Sequence, residues 1–116
     1  MATIVKTESK LNLYLRKILE LFKKLESYHP RTTLDNALRN FLFAKEKLDA
    51  LESAPTESLI SKTRGFLLMT LDEMRDFERT NKKIGDRKAL KIGSDIIGYT
   101  ELMIKQLNKL EEKIYS

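Results

Sequence analysis

His29 is the only histidine of the chain, and there is no cysteine. A histidine-based metal site needs at least two such ligands, and without thiols neither a disulfide nor a cysteine nucleophile can form. Carboxylates are the remaining groups with catalytic chemistry. Asp72 and Glu73, and Glu111 and Glu112, are neighbours in sequence. Adjacent helical positions point about 100° apart, so neither pair converges on one reacting atom. The Glu-x-x-His pairs that build di-iron centres in helical bundles are missing. So is the Arg-x(4–6)-His motif of helical-bundle ribonucleases, because Phe22, Lys23 and Lys24 stand where its arginine would be. Glycines at 65, 85, 93 and 98 form neither a phosphate loop nor a dinucleotide fingerprint, and no Gly-x-Ser-x-Gly occurs. The expectation is a protein that is not an enzyme, with no metal, no cofactor and no small-molecule substrate.

Charge and apolar surface are then the features left to carry function. The formal charge is +5. Residues 79–91 hold six basic residues and one acid, so this one segment accounts for the whole excess. Arg79, Lys82, Lys83, Arg87, Lys88 and Lys91 gather there. Their partners could be DNA or RNA, another polyanion, an acidic protein surface, or only solvent. Basic residues at a helix C-terminus also complement its dipole, which is a sufficient structural reason for some of them. Tyr28 is the one aromatic beside the basic loops, so phosphate contact is expected over base stacking.

These groups must be positioned by helices. Apolar residues recur with helical period throughout, and no stretch alternates as a strand would. Helices are expected at about 8–27, 33–52, 57–80 and 86–114, with Thr7, Thr32, Thr56 and Asp86 as N-caps. Breaks fall at His29-Pro30, at Ser53-Ala-Pro-Thr56 and at Asn81-Lys-Lys-Ile-Gly85. The core faces read as Leu11, Tyr14, Leu15, Ile18, Leu19, Leu21, Phe22 and Leu25; then Leu34, Ala37, Leu38, Phe41, Leu42, Ala44, Leu48 and Leu51. They continue with Leu59, Ile60, Phe66, Leu67, Leu71, Met74 and Phe77, and with Ile92, Ile96, Tyr99, Met103, Leu107, Leu110 and Ile114. Gly93 and Gly98 are expected to allow close helix packing, with a kink near Gly93 as the alternative.

The fold class is therefore all-α, a single domain over 1–116 arranged as an antiparallel up-down-up-down four-helix bundle. Its rival is a helical hairpin completed by dimerisation. In the up-down arrangement the first and third connections share an end. That places Lys23, Lys24, His29 and Arg31 beside the basic run and makes one end of the molecule positive. Leu13, Phe43, Leu68 and Leu102 lie off the apolar stripes, and Phe43 with Leu68 is the pair expected to form a patch for self-association or a partner helix. No apolar stretch is long enough to span a bilayer and no signal peptide is evident, so a cytoplasmic protein without membrane insertion is expected.

In size, charge and helical content the chain is similar to small bacteriocin immunity proteins. As a basic four-helix bundle it is similar to the accessory variability proteins of retroelements, which the stretch His29-Pro-Arg-Thr-Thr-Leu-Asp-Asn-Ala-Leu38 resembles at its second helix. The latter resemblance implies homo-oligomerisation and nucleic-acid contact. No distinguishing motif follows in the fourth helix, so neither family is assigned. The expected function is a non-enzymatic adaptor, inhibitor or accessory subunit presenting a helical surface to a protein partner. The alternative is a nucleic-acid-binding accessory protein working through the basic end.

Overall fold

The computed structural model describes the backbone of residues 2–28, 32–54, 56–84 and 87–115, and the side chains of 10–26, 34–51, 53–54, 56–80, 82 and 87–114. Four helices make up the described chain: α1 (Ala2–Tyr28), α2 (Thr32–Ser53), α3 (Glu57–Ile84) and α4 (Arg87–Tyr115). No strand occurs among the described residues. The helices have 22 to 29 residues, hence lengths of about 33 to 44 Å at 1.5 Å per residue. The molecule measures 47 × 21 × 19 Å, so each helix lies along its long axis. α1 packs along α4, α4 along α3, and α3 along α2, whereas the α1 and α2 backbones come close at few points. The buried rings of Phe22 and Phe41, with centroids 5.9 Å apart, stand between those two helices.

Two helices run longer than their sequence signals suggest. α1 starts at Ala2, so Thr7 lies within it and does not cap it. α3 continues through Asn81–Ile84, where a break was expected. Lysine and asparagine there favour helix or oppose it only mildly, and the glycine that could stop it comes at 85. Thr56 does cap α3: its Oγ1 accepts a hydrogen bond from the Leu59 N–H at 3.2 Å. Thr32 is the first residue of α2, and Asp86 lies outside the described residues.

The core is one continuous cluster contributed by all four helices, including Leu11, Ile18, Phe22, Phe41, Leu48, Ile60, Leu67, Met74, Ile96 and Met103. Leu42 is a correction. It was expected on the core stripe but is 45% exposed, because it follows Phe41 by one residue and so points about 100° away from that fully buried ring. Three threonines join the core instead. The hydroxyls of Thr63, Thr70 and Thr100 donate to the carbonyls of Leu59, Phe66 and Ile96 at 2.7, 2.8 and 2.7 Å. Bonding back to the own helix removes the cost of burying a polar group.

α4 is unbroken at Gly93. A Cβ there would sit 3.2 and 3.3 Å from Cε1 and Cδ1 of Phe77, so glycine is what lets α4 approach α3 at this level. Gly98 was expected to serve the same purpose and does not: a Cβ at 98 would meet nothing within 4 Å. No helix among the described residues is long and apolar enough to cross a membrane.

Candidate functional site

The exposed apolar residues divide into distinct settings. Phe43 of α2 is 42% exposed and packs its ring against Phe66 of α3, centroids 5.3 Å apart. Leu68 is 46% exposed. It lies two residues from Phe66, hence about 200° around α3, and faces the side of α4. The expected patch of Phe43 with Leu68 is therefore divided by the body of α3. Leu68 instead lines an open groove of about 580 Å³ with Leu71 and Arg75 of α3 and Gly98, Glu101, Leu102, Ile104, Lys105 and Asn108 of α4. Leu102 also borders a second shallow groove beside Tyr99. The Tyr99 ring packs on Tyr14 of α1 at 5.9 Å, next in sequence to the exposed Leu13. Sequence reasoning missed Met69, which is 51% exposed and lies by helical angle between Leu68 and Phe66 on the outward face of α3. Its distance from the core stripe was the available signal.

Two ion pairs tie α3 to α4 across the larger groove. Arg64 donates from Nη1 and Nη2 to Oε1 and Oε2 of Glu111 at 3.1 and 3.0 Å, and from Nη1 to Oδ1 of Asn108 at 2.8 Å. This fork geometry is the strongest form of a surface pair. The hydrogen bonds from Arg64 hold the Glu111 carboxyl below the ordinary carboxylate range, and those to Glu111 raise Arg64. At the other end of the groove Arg75 Nη2 lies 3.6 Å from Glu101 Oε1.

Of the basic residues, Lys23, Lys24, Arg79, Lys82, Arg87, Lys88 and Lys91 are exposed. Lys83 belongs to α3 but its side chain is outside the described set, and Arg31 and His29 lie outside the described residues. Part of the charge is balanced within the helices. Arg79 pairs with Asp76, Lys82 with Glu78 at 3.9 Å, and Lys91 with Asp95 at 3.0 Å. Arg87 and Lys88 have no such pair among the described residues. Both lie in the first turn of α4, which holds no acid, where a cation opposes the helix dipole. Among the described residues no group of three histidine, cysteine, aspartate or glutamate side chains could hold a metal ion. The chain matches no protein-family model, no curated protein and no solved structure.

Proposed function

We propose that this chain is a non-enzymatic interaction protein, an adaptor, inhibitor or accessory subunit that presents a helical surface to a protein partner. The observation that carries the reading is a set of exposed apolar side chains on neighbouring faces about the middle of α3. Phe43, Leu68 and Met69 each expose more than two-fifths of their area there, although the core beside them is filled by fully buried side chains. Large apolar groups left in water beside a complete core suit a surface that a partner covers. As a test, immobilised wild-type chain is compared with a Phe43→Glu/Leu68→Glu variant for proteins retained from the native host. A partner held in stoichiometric amount by the wild type and released by the variant is expected. Equal retention by both chains would remove the reading.

The same reading takes the helices as an up-down-up-down antiparallel bundle. Arg64 meets Glu111 and Arg75 meets Glu101, so residue numbers fall along α4 as they rise along α3. Connections of two or three residues between helices longer than 30 Å favour a chain that turns back at each of them.

That topology also supports a second reading, contact with nucleic acid through the basic end built from the first and third connections. Lys23 and Lys24 then lie near Arg79, Lys82, Arg87, Lys88 and Lys91, and the cationic first turn of α4 is the observation in its favour. Reversing Lys82, Lys83, Arg87 and Lys88 to glutamate is expected to abolish retention on DNA, RNA or heparin at low salt with the helix content unchanged. A wild-type chain that these matrices fail to retain at low salt would exclude it.

A further inference from the structure

Along the outward face of α3, Lys62, Gly65, Met69 and Asp72 follow one another at spacings of three, four and three. At 100° per residue all four fall within about 40° of the direction opposite the buried Leu67. Met69 is the most exposed of the large apolar side chains described. At Gly65 a Cβ would meet nothing within 4 Å, so the helix surface has a notch there that its own fold leaves empty. Lys62 and Asp72 are exposed and form no ion pair among the described residues, whereas Arg75, Asp76, Glu78, Arg79 and Lys82 further along α3 each have one.

This row is complementary to itself read backwards: a base, a notch, a knob and an acid, centred on residue 67. We propose that the partner is a second copy of this chain, docked antiparallel along α3 about a two-fold axis at the level of Leu67. In that register Met69 of each copy sits over the Gly65 notch of the other, and Lys62 faces Asp72 of the other. Each contact occurs twice, as an isologous interface requires. Leu68 meets its own copy on one flank and Phe66 meets its own on the opposite flank. Parallel docking would set Lys62 against Lys62 and Asp72 against Asp72, so charge selects the antiparallel arrangement. The axis falls within about one turn of the middle of α3, and the two bundles overlap along most of their 47 Å length.

The inference rests on the middle of α3 being an interaction surface, and the experiment separates the two ideas. Sedimentation velocity of the intact chain over a wide concentration range is expected to show a monomer–dimer equilibrium. Lys62→Asp alone and Asp72→Lys alone each set like charges face to face twice and weaken the dimer about tenfold or more. The double variant K62D/D72K exchanges the charges and restores the affinity to within a few-fold of wild type. Both substituted positions are exposed, and unchanged circular dichroism verifies that the three variants fold. A wild-type chain that stays monomeric overturns the proposal, and so does a dimer indifferent to the single reversals or one that the double variant fails to restore. If the chain is monomeric but the Phe43→Glu/Leu68→Glu variant still releases a retained protein, the interaction surface stands and only the self-pairing is lost.

Discussion

Gly93 and Gly98 lie in the same helix interior and differ in what surrounds them, so alanine at each isolates a single contact. Replacing glycine by alanine inside a helix gains about 1 kcal/mol through reduced unfolded-state freedom and better shielding of the backbone. At Gly98 nothing within 4 Å opposes the new methyl group, and the full gain is expected. For a chain of this length it raises the melting temperature by roughly 3–5 °C. At Gly93 the methyl group meets two carbons of the Phe77 ring at 3.2 and 3.3 Å and the Met74 methyl at 3.7 Å. Phe77 is buried at 4% exposure against Gly93 and cannot swing into water, so α4 or the ring must give way. Overpacking of this kind costs about 1–3 kcal/mol, which cancels the propensity gain or exceeds it. Gly93→Ala is therefore expected to be less stable than Gly98→Ala by about 1–3 kcal/mol, the cost of the contact, since the propensity term is common to both. Urea unfolding followed by circular dichroism measures the difference, with equal denaturant slopes showing that the unfolded states match. If Gly93→Ala proved as stabilising as Gly98→Ala, the close approach of α4 to Phe77 would not hold α3 and α4 as described.

Two further outcomes follow from the same packing. The Arg64–Glu111 fork lowers the carboxyl of Glu111, so its contribution is present in full above the ordinary carboxylate range, above about pH 5. It fades as the pH falls through the depressed value; the stability gap between wild type and Glu111→Gln should therefore close on acidification, and a gap that widens in acid would contradict the assignment. Leu42→Lys is expected to change unfolding free energy by less than about 0.5 kcal/mol, as surface substitutions do. Phe41→Ala, one residue away and fully buried, should cost about 3–5 kcal/mol, and similar losses at both positions in a denaturant titration would mean that Leu42 is covered in solution.

The amino-acid sequence by itself determined the helices and most of the core. The 3.6-residue recurrence of leucine, isoleucine and phenylalanine is a local property, and burying that stripe is the dominant favourable term in folding. Proline at 30 and 55 and the capping Thr56 marked two of the breaks for reasons equally local. The exposure of Leu13, Phe43, Leu68 and Leu102 was legible too, since each lies well off its stripe. What lies across a helix from each residue was not legible. Periodicity gives an angle about one axis, whereas a patch depends on which neighbouring helix faces that angle. Phe43 and Leu68 thus read as a pair, yet the packing of α2 and α4 on opposite sides of α3 sets them apart, the first against Phe66 and the second over the groove shared with α4. The burial of Thr63, Thr70 and Thr100 was not legible either, because it depends on neighbouring helices and on hydrogen bonds back to the helix, whereas the exposure of Leu42 follows from its angle beside Phe41. Gly93 and Gly98 are alike in sequence and opposite in surroundings. Only tertiary structure could tell a glycine that admits a neighbouring helix from one that leaves a helix face open.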